Sequence, residues 1–274
     1  MYNWIDAKEY SFECFFLFDR WIIEAILDEK AIRYLGNYTE AAYLSDLSIA
    51  MKRHPAVRRY CERKAPSCRK FLNRLQTIEQ SDWNEQAMRE AEERILQAQE
   101  TFVVYAYPEA MERVNYIRNW HSEHLYRLVD LDDKLVLDVG SGTGRLAFAA
   151  AAKAKRVYAS EPVDCLRDYM RDKIRARNIT NMKVVDGIVT DLPFENDTFD
   201  AVLSGHVVGD RYDEEIAEMS RVCKPGGWLV ICNGDDEFKR KGPMEELTRR
   251  GFESFCHTSV EGGIIYDYRK QICG

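Results

Sequence analysis

Long apolar runs are missing from this sequence. The longest extends from Leu146 to Ala152, far short of the roughly 20 residues that a membrane-spanning helix needs. A secretory leader is not expected either, because Asp6, Lys8 and Glu9 interrupt the first residues with charge. These absences favour a cytoplasmic protein without a membrane partner.

The chain also lacks a recognisable cysteine framework and an excess of positive charge. Its eight cysteines include no Cys-x-x-Cys pair and have no regular spacing, so we expect reduced thiols, several of them buried as small hydrophobes. The formal net charge of −7 argues against a protein that coats nucleic acid non-specifically. A local basic patch remains compatible with that charge.

What the chain does contain is apolar material for a sizeable core, since 46% of its 274 residues are hydrophobic. This length suits one large α/β domain and a smaller one. Two sequence patterns meet near residue 130: helix formers dominate before it, and short apolar runs alternate with helical segments after it. We predict a helical domain over residues 1–115 and a second domain over residues 116–274.

Helical periodicity and helix-start residues organise the first part. Thr39 is predicted to cap a helix that ends near Ala50, and Pro55 and Pro66 each suit the first turn of a short helix. Phe12–Lys30 is also predicted to be helical. A long charged stretch, Asn84–Thr101, leads into Met111–Leu128, where His121 and His124 are expected on a helix.

The second part has the βαβα order of a parallel sheet covered on both faces. We therefore predict a doubly wound α/β domain whose sheet is closed at one edge by an antiparallel hairpin around Gly262-Gly263. The predicted strands are Leu135–Val139, Arg156–Ser160, Met182–Val185, Phe199–Leu203, Trp228–Cys232, Phe252–Ser259 and Ile264–Arg269, and the predicted helices are Arg145–Lys153, Val163–Arg177 and Asp213–Val222.

A glycine-rich turn lies between the first of these strands and the helix that follows. Gly140, Gly142 and Gly144 alternate with Ser141 and Thr143. Glycine reaches backbone conformations closed to other residues and lets a ligand approach the main chain. A dinucleotide site would have its third glycine at position 145, where this chain has arginine, so the pattern disfavours NAD and FAD.

An acidic residue, Glu161, follows the second strand and precedes Pro162. A carboxylate about 20 residues after the first glycine can accept hydrogen bonds from both hydroxyls of a ribose. The alternative is structural, because an acid at this position can also cap the helix that begins near Val163. The spacing from the glycine turn favours the ribose.

Together these motifs resemble those of the class I S-adenosylmethionine-dependent methyltransferases. The turn is similar to the family's first motif, and Glu161 matches its acidic residue. The stretch from Asp191 to Asp200 is similar to the "LPF…D-x-FD" of members that act on small molecules, and Lys224-Pro225-Gly226-Gly227 to the family's turn before the fifth strand. The resemblance covers residues 116–274 and implies a Rossmann-like fold with S-adenosylmethionine as the cofactor.

One position departs from the family pattern: many relatives have an aspartate for the adenine where this chain has Ile188. The adenine is then expected to lie on Ile188 and Val189 and to bond to main-chain groups. The resemblance also implies that Asp138 and Ser204 face the methionine end. The predicted cofactor-binding set is Asp138, Gly140, Ser141, Gly142, Glu161, Pro162, Gly187, Ile188, Val189 and Ser204.

The candidate general base is His206, which follows the fourth strand. Its ordinary pKa range suits a base if the methyl acceptor is a hydroxyl or a protonated amine. The alternative is a histidine that only hydrogen-bonds loop backbone. No metal site is predicted, because His121 and His124 lack a further ligand pattern.

Three functions remain open at this point. The first is methyl transfer to a small molecule, with the helical domain as lid and substrate pocket. The second is methyl transfer to RNA or protein, with that domain as docking module. The third is a cofactor-binding protein without activity, which the intact turn and Glu161 disfavour.

A basic stretch from Lys52 to Arg74 holds nine lysines and arginines and one acid, Glu62. It either forms a positive rim that attracts an acidic substrate or RNA, or it docks on the acidic stretch Glu79–Glu100 of the same chain.

Overall fold

A computed structural model describes residues 4–27, 38–79, 84–234, 241–260 and 262–273. The chain forms two compact units, residues 1–110 and 111–274. The division falls a few residues before the predicted boundary because Met111 and Glu112 already have partners in the second unit. The Met111 side chain borders Gly142, and Glu112 forms an ion pair with Lys173 at 2.8 Å.

The described part of the first unit is helical. Three short 3-10 helices cover Ala7–Glu9, Phe12–Leu17 and Pro66–Cys68. The α-helices are α1 (Arg20–Ile26), α2 (Glu40–Arg53), α3 (Pro55–Lys64), α4 (Arg69–Gln76), α5 (Glu85–Ala98) and α6 (Glu100–Ala106), while α7 (Pro108–Met111) ends at the first residue of the second unit.

Most helix starts in the first unit follow the capping residues seen in the sequence. The Thr39 hydroxyl accepts a hydrogen bond from the Ala42 N–H at 3.3 Å, and the Asn84 side chain accepts one from the Ala87 N–H at 2.8 Å. Pro55 occupies the first turn of α3, where a missing N–H costs no hydrogen bond. The starts predicted at Thr39 and Pro55 are confirmed, and the cap at Asn84 is a finding of the structure.

The single helix predicted over Phe12–Lys30 is wrong in its described part. A 3-10 helix ends at Leu17, and α1 starts anew after Asp19, whose carboxylate accepts a hydrogen bond from the Ile22 N–H at 3.1 Å. An aspartate at this position favours a fresh helix start, which the apolar spacing alone could not reveal. Residues 28–30 lie outside the described residues.

The second unit contains helices and one sheet. The helices are α8 (Asn115–Arg118), α9 (Glu123–Tyr126), α10 (Arg145–Ala151), α11 (Asp164–Ala176), α12 (Tyr212–Val222) and α13 (Glu245–Thr248). The strands are β1 (Leu135–Val139), β2 (Arg156–Ser160), β3 (Met182–Val185), β4 (Phe199–Ser204), β5 (Cys223–Ile231), β6 (Glu253–Thr258) and β7 (Ile264–Gln271).

Within the described residues the sheet has seven strands in the order β3-β2-β1-β4-β5-β7-β6. The first five strands are parallel, and β7 and β6 are antiparallel additions. Apolar clusters line the sheet, one around Leu146 and Met170 and another around Phe199 and Met219. The predicted fold class is therefore confirmed. The carboxyl ends of β1, β2 and β4 meet at one edge, where such sheets bind ligands.

Two local predictions in the second unit need correction. The helical segment Met111–Leu128 is broken into α8 and α9, because turns separate the short apolar groups. The Lys224–Gly227 stretch belongs to β5 rather than to a turn before it: the Gly226 N–H donates to the Ile272 carbonyl at 2.8 Å. Gly226 still has the positive φ, +79°, expected of that glycine.

Among the described residues, no helix is both long and apolar enough to cross a membrane.

Candidate functional site

The glycine turn joins β1 to α10 with three left-handed glycines at alternate positions. Gly140, Gly142 and Gly144 have φ values of +63°, +57° and +92°. A side chain at Gly140 would overlap Val207, and a Cβ at Gly142 would lie 3.1 Å from the Met111 Cε. The turn therefore needs glycine both for its backbone angles and for the space around it.

Ser141 ties this turn to the neighbouring strand. Its N–H donates to the Ser160 carbonyl at the end of β2 at 3.0 Å, and its hydroxyl donates to the Asp138 carbonyl at 3.0 Å. The Ser141 side chain is buried. It fixes the shape of the turn, so any contact with a ligand would come from backbone groups around it.

Asp138 is a fully buried carboxylate at the end of β1, 1% exposed. Its Oδ2 accepts a hydrogen bond from the Ala147 N–H in α10 at 3.1 Å. Burial raises the pKa of Asp138 to about 7, while the Ser141 hydroxyl and the positive charge of Arg145 act in the opposite direction. A cationic ligand group beside this carboxylate would favour its ionised form.

Glu161 is 4% exposed and lies directly after β2. Its Oε2 accepts a hydrogen bond from the Gly142 N–H at 2.8 Å, and its Oε1 accepts one from the Val163 N–H at 2.9 Å. The helix cap of the structural interpretation is present, and the same side chain orders the glycine turn. The ribose role of Glu161 stays a prediction. Each carboxylate oxygen has a second lone pair with which to accept a ribose hydroxyl.

Two buried hydroxyls at this edge of the sheet have no hydrogen-bond partner among the described residues: Ser204 Oγ and Thr143 Oγ1. Ser204 ends β4, and Thr143 lies in the glycine turn. Buried polar groups are rarely left unpaired, because each unmade bond costs about 1–3 kcal/mol. With the glycine turn and two buried carboxylates, this donor and acceptor set fits a polar ligand such as S-adenosylmethionine.

The segment after β3 holds the predicted adenine residues. The Gly187 carbonyl accepts a hydrogen bond from the Ser160 hydroxyl at 3.1 Å, and Ile188 is half-buried and bridged to Asp191. Val189 packs in the apolar cluster around Phe199 and Met219, so its side chain is largely buried, and its contact with the adenine stays a prediction. Pro162 is half-buried beside Glu161.

His206 follows β4 with a φ of +60°, in the left-handed region that is strained for a residue with a side chain. Its Nε2 accepts a hydrogen bond from the Gly234 N–H at 2.9 Å. That bond engages the lone pair that a base would use at this nitrogen. Catalysis by His206 stays a prediction, and the loop hydrogen bond of the alternative interpretation is present.

Several residues at this edge were not found from the sequence. Met111 borders Gly142, and the Tyr116 ring lies 4.7 Å from the His206 ring between centroids. Asn233 accepts a hydrogen bond from the His206 N–H at 3.4 Å and donates to the Tyr266 carbonyl at 3.0 Å. None of these residues belongs to a short motif, so no local signal marks them.

His124 lies close to His257 and Asp267 as well as to His121. Ligand atoms of His124, His257 and Asp267 all lie within 4.8 Å of one another. The two imidazole rings stack 3.7 Å apart at 19°, whereas a metal must lie near the plane of each ring, about 2.0–2.1 Å from its nitrogen. As placed, the rings cannot share one ion. Burial and the neighbouring His257 lower the pKa of His124.

The basic stretch of the first unit is partly paired with the acidic one. Arg53 contacts Glu85 and lies 3.4 Å from Glu92, and His54 lies 2.8 Å from Glu92. Arg58 instead pairs with Glu62 at 2.7 Å. Internal docking therefore involves the start of the stretch, whereas Arg59, Arg63 and Lys64 of α3 are exposed and make no ion pair with a described residue.

Comparison with known proteins shows that the second unit matches a family of methyltransferases. Residues 136–227 match a family model described as a methyltransferase domain. A demethylmenaquinone methyltransferase from Clavibacter sepedonicus is 30% identical over 156 residues, which are 53% of this chain and 60% of that protein. A fatty-acid O-methyltransferase from Mycolicibacterium smegmatis is 36% identical over 104 residues, 37% of each chain. The chain thus matches well under two thirds of either relative's length.

Solved structures of other methyltransferases share this fold. The crystal structure of a putative S-adenosylmethionine-dependent methyltransferase from Methanococcus maripaludis superposes with a TM-score of 0.51 at 17% identity and covers 62% of this chain and 94% of that one. At this identity the likeness concerns the fold alone. The family resemblance predicted from the sequence is confirmed by the match of residues 136–227 to the methyltransferase model and by the relative from Clavibacter sepedonicus.

Proposed function

Because the second unit is a class I S-adenosylmethionine-dependent methyltransferase domain, with S-adenosylmethionine as its cofactor, we propose that this protein transfers a methyl group to a small-molecule acceptor. The observation that carries the proposal is the glycine turn, whose three left-handed glycines lie beside the buried carboxylates of Asp138 and Glu161. The buried hydroxyls of Thr143 and Ser204 have no hydrogen-bond partner among the described residues. A bound polar ligand would supply hydrogen-bond partners for these buried groups.

Each group has an expected task in holding the cofactor. Glu161 accepts from the ribose hydroxyls, Asp138 and Ser204 face the methionine end, and Ile188 lies against the adenine. Glu161 is already positioned for this task, because its bonds to Gly142 and Val163 hold both carboxylate oxygens in place. A carboxylate that is ordered before the ligand arrives loses little further entropy on binding.

The bound cofactor supplies a methyl group already activated by its sulfonium. What remains for the protein is to hold the acceptor in line with that methyl group and to exclude water. Tyr116 and His206, in contact at the carboxyl end of β4, are the side chains we expect on the acceptor side. A base role for His206 requires its Nε2 to release the Gly234 N–H.

A small molecule is the favoured acceptor class for two reasons. The stretch from Asp191 to Asp200 is similar to that of small-molecule members of the family. The two curated relatives described above are named for demethylmenaquinone and a fatty acid. Neither name is transferred to this chain.

The proposal is tested by turnover of the full-length protein with methyl-labelled S-adenosylmethionine and fractionated cell extract. We expect label in a product of low molecular mass that resists nuclease and protease. Label in a nuclease- or protease-sensitive product would instead establish the macromolecular alternative. The control is Gly142→Val, which should transfer no label.

Absence of label in every fraction, with tight cofactor binding retained, would leave only the inactive cofactor-binding protein.

A further inference from the structure

The exposed side of α3 carries three cations that no acid of the described residues neutralises. Arg59, Arg63 and Lys64 are exposed and make no ion pair there. With Ala56 and Tyr60 they line a shallow groove of about 460 Å³. These residues recur every three or four positions, so they form one face of the helix.

Two exposed apolar side chains lie next to this face. Phe16 is 41% and Leu17 46% exposed, although Phe12, Cys14 and Phe15 of the same 3-10 helix are buried. Large exposed apolar groups side by side mark interaction surfaces more often than isolated ones do.

Tyr60 joins the two features. Its ring lies 5.5 Å from the Phe16 ring between centroids, at 72°, and its hydroxyl donates to the Phe18 carbonyl at 2.7 Å. The apolar pair and the cationic groove are therefore adjacent parts of one surface in the first unit. We call residues 16, 17, 59, 63 and 64 the α3 surface.

We propose that the α3 surface binds the face of an anionic lipid bilayer. Lysine and arginine are attracted to acidic headgroups, and neighbouring apolar side chains enter the boundary between headgroups and acyl chains. The missing membrane span led us to expect no membrane partner, but contact with a bilayer surface needs no span. The inference goes beyond the proposed function, since it concerns the first unit and requires no cofactor.

The chemistry of the apolar pair favours lipid over nucleic acid. Single-stranded nucleic acid is bound by cations together with aromatic faces on which bases stack. Here the Tyr60 ring already contacts Phe16, and the most exposed apolar residue of the surface is Leu17, an aliphatic side chain that offers no stacking face. An aliphatic and an aromatic side chain beside cations match the requirements of a bilayer interface.

The test is flotation of the full-length protein with two kinds of vesicle, phosphatidylcholine alone and phosphatidylcholine mixed with phosphatidylglycerol. We expect binding to the anionic vesicles only. The R59Q/R63Q/K64Q variant should bind on the order of 100-fold more weakly, from about 1 kcal/mol for each cation near an acidic membrane surface. The matched control K155Q/R156Q/K183Q removes three exposed cations of the second unit and should bind like wild type.

A second variant, F16S/L17S, tests the apolar part and should weaken binding about tenfold while keeping its salt dependence. All these side chains are exposed, so melting temperatures should not move. Equal binding to both vesicles would overturn the proposal, as would unchanged binding by R59Q/R63Q/K64Q or an equal loss in the control. So would displacement of the protein from vesicles by single-stranded polyuridine.

Discussion

Asp46 and Glu92 of the first unit and Asp138 of the second are buried acids with different partners. In the first unit, Asp46 accepts hydrogen bonds from the Arg94 guanidinium at 2.7 and 3.0 Å, and Glu92 lies between Arg53 and His54. In the second unit, Asp138 has no ion-pair partner among the described residues and relies on the Ala147 N–H.

We interpret Asp46 and Glu92 as acids that stabilise the fold and Asp138 as an acid that we expect to bind a ligand. A buried carboxylate paired with arginine is already compensated, and removing its partner damages the unit itself. A buried carboxylate without a direct ion pair is destabilising in the empty protein even with Arg145 nearby, as the raised pKa of Asp138 indicates. A bound ligand with a positive group offsets that cost.

The largest effect is expected at the turn between the acids of the second unit. Gly142→Val should weaken binding of S-adenosylhomocysteine more than 100-fold, because a branched side chain suits neither the φ of +57° nor the 3.1 Å gap to Met111. Calorimetric titration measures it. The control is Gly242→Ala, at a glycine with open space and no positive φ, which should bind like wild type. Normal binding by Gly142→Val would mean that the ligand lies elsewhere.

In the first unit the expected effect is on stability alone. Arg94→Gln leaves Asp46 buried without a cation, beside the Tyr38 hydroxyl, and should lower the free energy of unfolding by about 2–3 kcal/mol. Cofactor affinity should not change. Arg171→Gln, which breaks the exposed pair with Asp168, should cost less than about 1 kcal/mol. Equal losses in urea unfolding would remove the distinction between buried and surface pairs.

The direction in which stability changes with pH is a further test of Asp138 as a buried acid without an ion pair. The pKa of Asp138 is about 7 in the folded protein and about 3.9 unfolded, so the folded state holds an extra proton between these values. The stability of the empty wild-type protein should therefore fall as the pH rises through this window, by about 1 kcal/mol per pH unit. Asp138→Asn removes this dependence.

Urea unfolding at pH 5 and pH 7, wild type against Asp138→Asn, isolates the contribution of this one group. We expect the wild type to lose stability relative to the variant at the higher pH, and less so with S-adenosylhomocysteine, whose amino group is positive. A parallel pH dependence of the two proteins would show that Asp138 is ionised throughout.

The smallest effect is expected at the departure from the family pattern. Ile188→Asp should leave cofactor affinity within about threefold of wild type or improve it, because relatives carry an acid there, although Asp191 lies opposite and repels it. Complete loss of binding would indicate an apolar shelf for the adenine. Unchanged affinity with the adenine located elsewhere in a crystal structure would contradict the alignment of this segment.

Features that depend on local sequence were predicted correctly, and features that depend on packing between distant residues were not. Strands such as Arg156–Ser160 and Met182–Val185 were located correctly because a buried parallel strand is a short apolar run between breaks. The glycine turn was found because its chemistry is local. The burial of Val189 in the apolar core was not found, since it depends on packing against distant residues.

The candidate site shows the same limit. Glu161 was predicted from its spacing to the glycine turn, and Asp138 and Ser204 were predicted from the family resemblance, because all three lie at or next to the end of a strand. Tyr116 and Asn233 reach the same edge from α8 and from the segment after β5, and only the folded chain brings them to His206. The unpaired Thr143 hydroxyl is likewise a property of the packed turn rather than of its sequence.

The central claim, that the acids and glycines of the second unit form an S-adenosylmethionine site, is tested most directly by ligand-dependent melting. S-adenosylhomocysteine at a hundredfold over its dissociation constant should add about 2.7 kcal/mol to the stability of the wild-type protein. NAD should add no stability, because a site for its pyrophosphate would have a glycine at the position of Arg145. Stabilisation by NAD without any by S-adenosylhomocysteine would contradict the account.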